Sequence, residues 1–212
     1  MLPLQSIQLA RITTQTELLA GAVGNIEVDV QEPAGPIRGI ALIAHPHPLM
    51  GGTKDNKVVT TLARTFVALG YVALRPNFRG VGASDGMHDE GRGETDDLVA
   101  VAQHARQRYG NLPFTCAGFS FGSFVQTRAA EQINPQQLVL VAPAVSRFQT
   151  GTVAGGTLVI HGELDDVAPL AAVLDWARPQ NLPVVVVPGG EHFFHGRLHV
   201  LQQIVSRYCR PL

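Results

Sequence analysis

Short, uninterrupted runs of apolar residues recur along the chain and alternate with longer stretches in which apolar residues fall at helical spacing. The apolar runs at residues 40–44, 114–117 and 184–187 each have the length of a β-strand that is covered on both faces. Residues 94–109 place leucine, valine and alanine at helical spacing. Strands that alternate with helices in this way predict an α/β fold, a mostly parallel sheet with helices on both faces.

The hydrophobic pattern predicts the positions of eight strands and five helices along the chain. Residues 26–30 alternate apolar and polar side chains, which indicates a half-exposed antiparallel edge strand. Thr53 is predicted to cap the first helix. The predicted strands are residues 6–9, 26–30, 37–45, 71–75, 114–117, 138–142, 157–161 and 184–187. The predicted helices are residues 53–69, 94–109, 121–131, 169–177 and 196–208.

Composition and charge narrow the class of protein. The chain has 212 residues, 45% of them hydrophobic, a net charge of −1 and two cysteines, which predicts one domain over residues 1–212 without a disulfide framework. A near-neutral chain gives no electrostatic case for nucleic acid or for a membrane surface. No basic leader and no run of about 18 apolar residues is present. We expect a cytoplasmic monomer or small homo-oligomer.

Candidate chemistry centres on residues 118–122, which read Gly-Phe-Ser-Phe-Gly between a predicted strand and a predicted helix. This is the G-x-S-x-G pattern of a nucleophile elbow, in which glycines allow the strand and the helix to approach closely around an exposed serine. Ser120 is then the candidate nucleophile. The alternative is an ordinary Gly/Ser turn between the two elements.

Two later strand-end loops hold the partners that a serine nucleophile needs. The loop after residues 157–161 carries the carboxylates of Glu163, Asp165 and Asp166, and the loop after residues 184–187 carries His192. A serine requires a base within hydrogen-bond reach and a third group that orients that base. The chain order of serine, acid and histidine is the one that this kind of fold uses, and His192 is the candidate base.

Glycines and histidines elsewhere in the sequence raise the alternatives of a dinucleotide site and a metal site, and both are poorly supported. Gly80 and Gly82 match part of a dinucleotide fingerprint, but Asp85 stands where a third glycine is needed and no helix opens there, so they are interpreted as turn glycines. His45 and His47 lack a third ligand for a metal ion. We therefore expect neither a metal nor a cofactor.

From about Ile26 onward the chain resembles the α/β-hydrolase family, and specifically small lidless bacterial serine hydrolases related to dienelactone hydrolases. The resemblance implies Ser120 as nucleophile, His192 as base and Asp165 as orienting acid, with Asp166 as the second candidate. Dienelactone hydrolases have a cysteine nucleophile, so their lactone specificity is not expected here. The sequence blocks that carry the resemblance to the α/β-hydrolase family are His45-Pro46-His47-Pro48 with Gly51-Gly52-Thr53, Asn77-Phe78-Arg79-Gly80-x-Gly82-x-Ser84, Gly118-x-Ser120-x-Gly122, His161-Gly162-x-x-Asp165-x-x-Ala168-Pro169 and Gly190-x-His192.

An oxyanion hole requires two backbone N–H groups that face the developing negative charge. The residue after the nucleophile, Phe121, supplies one. The second is expected from the loop after residues 40–44, where Pro46 and Pro48 have no N–H to donate. His47 occupies the place that the family's pattern uses, with Leu49 as the second candidate.

The predicted function is that of a carboxylesterase acting on small or short-acyl esters. Residues 144–156 are too few for a helical lid, so we expect an open cleft. The alternatives are a thioesterase, amidase or peptidase with the same residues, a catalytically silent binding module and, against the glycine spacing, a nicotinamide or flavin protein. Apolar residues that either line this cleft or pack in the core are Leu49, Met50, Phe119, Phe121, Phe193 and Phe194.

Overall fold

The computed structural model describes residues 14–209. The strands are β1 (Thr14–Gly21), β2 (Gly24–Gln31), β3 (Gly39–Ala44), β4 (Tyr71–Pro76), β5 (Phe114–Phe119), β6 (Gln137–Val141), β7 (Leu158–Gly162) and β8 (Val184–Val187). The helices are α1 (Lys57–Ala68), α2 (Arg92–Tyr109), α3 (Phe121–Ile133), α4 (Leu170–Ala177) and α5 (Leu198–Tyr208), with short 3₁₀ helices at Pro48–Met50 and Arg178–Gln180. The strand predicted at residues 6–9 lies outside the described residues.

The eight strands form one sheet in the order β1-β2-β4-β3-β5-β6-β7-β8. The β1–β2 and β2–β4 pairs are antiparallel, and all other neighbouring pairs are parallel. The prediction of a mostly parallel sheet is therefore confirmed. Because parallel strands end at one edge, the loops that follow β3, β5, β7 and β8 meet there, and the candidate residues lie on these loops.

Two hydrophobic layers cover the two faces of the sheet. Alternate residues of β3 divide between them, with Leu42 in the layer under α2, α3 and α4, and Ile43 in the layer under α1 and α5. Every residue of β3 is buried. Burial on both faces explains why the central strands are continuously apolar in sequence.

Two elements differ from the expectation from the sequence. Strand β1 was not predicted, because its first four residues are polar, its apolar residues do not alternate with polar ones, and it lies exposed at the sheet edge. As a result β2, predicted to be the edge strand, is the second strand, although its pairing is antiparallel as expected.

Helix α1 begins later than predicted. Its N-cap is Asn56, whose side chain accepts the Val58 N–H at 2.9 Å, whereas Thr53 accepts only the Asp55 N–H in the preceding turn. The residues between them are held outside the helix by Lys54, whose carbonyl accepts a bond from Arg75 at 2.6 Å and whose ammonium lies 3.0 Å from Asp29. This buried ion-pair network therefore displaces the helix start by one turn.

Within residues 14–209, no helical lid covers the sheet edge where these loops meet. The segment between β6 and β7, within the described part of the chain, contains turns but no helix. In the same part of the chain, no helix is long and apolar enough to cross a membrane.

Candidate active site

Ser120 lies at the sharp junction of β5 and α3. Its backbone has a φ of 55°, a left-handed conformation that is strained for a residue with a side chain. A Cβ on Gly118 would collide with the carbonyl of Gly122, and one on Gly122 would collide with the carbonyl of Ala44. The two glycines of the motif are therefore required by close backbone approach on both sides of the serine.

Ser120, His192 and Asp165 form a continuous chain of hydrogen bonds. His192 Nε2 lies 3.0 Å from Ser120 Oγ, and His192 Nδ1 lies 2.7 Å from Asp165 Oδ2. Because an ionised carboxylate only accepts hydrogen bonds, Nδ1 carries the proton and Nε2 is free to accept the serine proton. All three side chains are largely buried. The structure thus brings together the three residues that the sequence assigned to nucleophile, base and acid.

Asp165 is held by its own loop as well as by His192. Its Oδ1 accepts the N–H groups of Val167 and Ala168 at 3.0 and 2.8 Å. The fully buried His161 contacts the Ala168 carbonyl at 2.7 Å and Asp165 Oδ2 at 3.4 Å. Burial acts to raise the pKa of Asp165, but the hydrogen bonds from His192 and Ala168 outweigh it and hold the pKa below its ordinary value. The carboxylate is therefore ionised at neutral pH.

The other acidic residues of this loop are turned away from the imidazole. Glu163 accepts the Gly189 N–H at 2.8 Å, which ties its loop to the loop that carries His192. Asp166 is exposed and has no ion pair within residues 14–209. Of the candidate acids, Asp165 is the one in contact with His192.

Two backbone N–H groups beside Ser120 have no acceptor among the described residues, those of Phe121 and His47. In contrast, the Leu49 N–H donates to His47 Nδ1 at 3.2 Å, and the N–H groups of Met50 and Gly52 donate to the His47 carbonyl. Ser120, Phe121 and His47 all line the same cavity. Leu49 is therefore the poorer candidate for the second oxyanion donor.

The side chains of the two proposed donors pack against each other. The rings of His47 and Phe121 are 4.8 Å apart, and His88 lies 4.8 Å from the first ring and 5.4 Å from the second. Burial, and then the charges of His88 and Arg147, lower the pKa of His47 against opposing contributions from nearby glutamates. His47 is accordingly neutral at pH 7, and its Nδ1 remains an acceptor for the Leu49 N–H.

His45 supports this loop from below. Its Nδ1 donates to the Pro46 carbonyl at 2.7 Å, and its Nε2 accepts the Phe78 N–H at 2.9 Å. Burial lowers the pKa of His45 to about 4. Since both ring nitrogens are used within the protein, the imidazole has no position left for a metal ion. Residues 14–209 contain no group of three metal-ligating side chains.

A cavity of about 230 Å³ opens beside Ser120 and His192. Met50 and Phe193, both predicted from the sequence, line it, but Leu49 is exposed outside it. Phe119 does not line it either, because its ring is fully buried and packs against the imidazole of His192 at 5.0 Å. Phe194 is also fully buried and packs in the layer under α1 and α5.

Sequence reasoning missed part of the cavity wall. Ala144, Arg147 and Phe148 come from the segment between β6 and β7, and Asn56 and Val167 come from two other loops. No local motif marks these residues. Arg79, which belongs to the sequence block that begins at Asn77, makes two hydrogen bonds of 2.9 Å to Asp97 and does not line the cavity.

A known family model matches residues 37–154 of this chain, more than half of its length. It is Hydrolase_4, described as Serine aminopeptidase, S33. The match includes Ser120 and both proposed oxyanion donors and ends before Asp165 and His192.

Solved structures extend the similarity over almost the whole chain. XC6422 from Xanthomonas campestris, an α/β serine hydrolase without a lid, is 37% identical with a TM-score of 0.89, over 93% of this chain and 94% of its own. An α/β serine hydrolase homologue from Coxiella burnetii is 38% identical with a TM-score of 0.88, over 94% and 99%. A dienelactone hydrolase from Anabaena variabilis shares the fold at 18% identity and a TM-score of 0.72, over 93% and 96%.

Proposed function

The chain belongs to the α/β serine hydrolase family, and from this premise we propose that it is a carboxylesterase that cleaves small or short-acyl esters. The observation that carries the proposal is the hydrogen-bond chain from Ser120 through His192 to Asp165 at the wall of a cavity. A serine hydroxyl becomes an effective nucleophile when such a base removes its proton.

In the first half of the reaction, Ser120 Oγ attacks the ester carbonyl while His192 Nε2 takes its proton. The carbonyl oxygen gains negative charge, and the free N–H groups of Phe121 and His47 stabilise it. Asp165 stays ionised and stabilises the imidazolium. His192 then protonates the leaving alcohol, which departs and leaves an acyl group on Ser120.

In the second half, a water molecule attacks the acyl carbonyl and His192 again accepts the proton. The tetrahedral intermediate collapses and breaks its bond to Ser120 Oγ. His192 donates the proton that it took from the water to Ser120 Oγ, and the carboxylic acid is released. The same two N–H groups serve the second oxyanion. The strained backbone of Ser120 keeps its Oγ at the position shared by both steps.

The size and openness of the cavity support small substrates. A volume of about 230 Å³ lies just below the usual range for ligand sites, and the segment between β6 and β7 forms no lid. The wall beside Ser120 is largely apolar, with Met50, Phe148 and Phe193 among its residues. A short acyl or alkyl group therefore fits, and a bulky remainder extends into solvent.

A peptidase is the second candidate, because the matching family model is described as a serine aminopeptidase. An aminopeptidase must bind a free, protonated α-amino group, for which a carboxylate in the cavity is the natural partner. No acidic side chain lines the cavity within the described residues, and its one charged lining residue is a cation, Arg147. This charge favours the esterase over the aminopeptidase.

Labelling with a fluorescent phosphonate tests the proposal, with wild type and Ser120→Ala side by side. We expect wild type alone to be labelled, because only an activated serine attacks the phosphonate. A p-nitrophenyl ester series of increasing acyl length, run beside aminoacyl p-nitroanilides and thioesters, then identifies the bond that is cleaved. Faster turnover of the anilides would favour the peptidase. A folded wild type that is neither labelled nor active would support a catalytically silent binding module.

A further inference from the structure

One charged side chain of the cavity wall has no role in the mechanism above. Arg147 lies in the segment between β6 and β7 and lines the cavity together with Ser120 and His192. Its side chain is exposed to solvent, and it makes neither an ion pair nor a hydrogen bond to another part of residues 14–209. Six other arginines in this range make ion pairs or side-chain hydrogen bonds, namely Arg75, Arg79, Arg92, Arg106, Arg108 and Arg178.

The backbone around Arg147 is well anchored even though the side chain is exposed. The N–H groups of Arg147 and Phe148 both donate to the Ala144 carbonyl, at 3.0 and 3.1 Å. The Phe148 ring stacks on Phe124 at 5.1 Å and lies 5.1 Å from Phe121. Arg147 therefore starts from a fixed position, one residue from an aromatic anchor that touches a proposed oxyanion donor.

The rest of this segment is also tied to the body of the protein. Trp176 of α4 donates to the carbonyls of Thr150 and Gly151 at 3.2 and 3.1 Å, and Val153 N–H donates to Gln180 at 2.8 Å. Such anchoring limits the range of places that the guanidinium can reach. The charge thus remains at the cavity, where no carboxylate of the described residues lines the wall to neutralise it.

We propose that Arg147 selects esters that carry a negatively charged group, with its guanidinium binding a carboxylate on the substrate while Ser120 attacks the ester carbonyl. This inference rests on the proposed esterase function and narrows its substrate class. Guanidinium binds carboxylate through two parallel hydrogen bonds, which gives orientation as well as affinity. The apolar wall then receives the uncharged part of the substrate, between the ester and the carboxylate.

Two isosteric pairs of esters test the proposal. The first pair varies the acyl group. Its members are the p-nitrophenyl monoester of adipic acid and the same ester in which the free carboxyl group is replaced by a carboxamide. The second varies the alcohol, as p-carboxyphenyl acetate and p-carbamoylphenyl acetate. The quantity measured is the ratio of kcat/KM for the anionic ester to kcat/KM for its neutral amide analogue. The pair in which the ratio responds to Arg147 identifies the side of the ester that carries the charge.

We expect wild type to favour the anionic member of one pair, and Arg147→Gln to lower that ratio by about tenfold, as for a partly exposed charged hydrogen bond. Arg147→Lys keeps the charge without the two-pronged geometry and retains part of the ratio. The wild-type ratio falls as salt is added, because the charge pair is screened. Arg64→Gln, on the exposed face of α1, is the matched control and leaves the ratio unchanged.

A ratio that is the same in wild type and Arg147→Gln for both pairs would overturn this inference and leave the esterase function standing. Failure of folded wild type to hydrolyse any of the four esters would overturn the esterase function and this inference together. The two failures are therefore distinguishable in one set of assays.

Discussion

Two pairs of a histidine and a buried carboxylate lie near the nucleophile elbow, one beside Ser120 and one beside Phe121, and they share several features. His192 Nδ1 lies 2.7 Å from Asp165, and His88 Nδ1 lies 2.9 Å from Glu94. Each carboxylate is buried and accepts two backbone N–H groups from residues near it in sequence, Asp165 from residues 167 and 168 and Glu94, in the first turn of α2, from residues 89 and 91. Both pairs bring an imidazole close to a buried carboxylate, but His192 makes a hydrogen bond to Asp165, whereas neither ring nitrogen of His88 has a hydrogen-bond partner within residues 14–209.

The pairs differ in what the second ring nitrogen faces. Nε2 of His192 meets a hydroxyl, Ser120 Oγ at 3.0 Å, on the wall of the cavity. Nε2 of His88 has no hydrogen-bond partner among the described residues and lies 3.6 Å from Glu90, and its ring packs against His47 and Phe121 without lining the cavity. The difference teaches that a histidine beside a buried carboxylate does not by itself make a chemical site, and that the hydrogen bonds of His192 to Asp165 and to the strained Ser120 distinguish the candidate site. We infer that the first pair acts on protons and the second holds the oxyanion loop.

Removing the Ser120 hydroxyl is expected to have the largest effect, because that hydroxyl is what distinguishes the His192 pair from the His88 pair. Ser120→Ala is expected to lower kcat/KM for p-nitrophenyl esters by more than about 1000-fold, because no nucleophile remains beside His192. The fold is expected to survive, and circular dichroism and thermal unfolding check that it does. Ser123→Ala, one helical turn away from the reaction, is the control for loss of a serine hydroxyl. A Ser120→Ala protein with most of its activity would remove Ser120 from the mechanism.

Replacing the Asp165 carboxylate with an amide tests whether this residue orients His192 or only contacts it. Asp165→Asn is expected to lower kcat by about 1000-fold, since an amide no longer holds the proton on Nδ1 of His192. The matched control is Asp166→Asn, on the adjacent exposed side chain, which is expected to change kcat by less than about twofold. Equal losses in the two variants, measured by steady-state kinetics, would contradict the assignment of Asp165 as the orienting acid.

His45 sharpens the comparison because it is a buried imidazole without a carboxylate. Its neighbours are a carbonyl and an N–H, and burial lowers its pKa to about 4 from an ordinary value near 6.5. Between these values the unfolded chain binds a proton that the folded protein excludes, so stability is lost as the pH falls. The loss between pH 7 and pH 5 is about 2 kcal/mol in the free energy of unfolding.

Urea unfolding of wild type and His45→Gln at both pH values measures this loss. The variant has no imidazole at position 45, so its free energy of unfolding is expected to fall less between pH 7 and pH 5. His195→Gln, at an exposed histidine, provides the reference. Identical pH dependence in His45→Gln and wild type would show that His45 is not the group responsible.

The second pair is expected to contribute the smallest effect on catalysis. Glu94→Gln places an amide where two backbone N–H groups require an acceptor, and it should lower the free energy of unfolding by about 1 kcal/mol or somewhat more. Turnover of p-nitrophenyl esters is expected to fall by less than about tenfold, with KM little changed, because the oxyanion loop is only loosened. A loss of kcat as large as that of Asp165→Asn would mean that His88 and Glu94 take part in the chemistry.

Local and strongly periodic features were predictable from the sequence alone. The continuously apolar strands follow from burial on both faces of a parallel sheet, and the prediction of that sheet was confirmed. The resemblance to lidless α/β serine hydrolases was also confirmed, since several motifs occur in the family's order. The elbow around Ser120 is readable because its glycines are required by contacts within a few residues. Strand β1 and the start of α1 were not predictable from the sequence. An exposed edge strand has little hydrophobic signal, and the start of α1 depends on Lys54, which is held by an ion pair with the distant Asp29.

The choice among chemically equivalent residues was made only by the tertiary structure. Asp165, Asp166 and Glu163 share one loop and one chemistry, and the loop's turn brings Asp165 alone to the imidazole. Phe119 faces the protein interior, although its sequence position beside the nucleophile suggested the cavity. Arg147 and His88 reach the site from segments without any motif, through packing of Phe148 and Phe121. Sequence patterns report neighbours along the chain and the face of an element, whereas which distant loops meet depends on the packing of the whole fold.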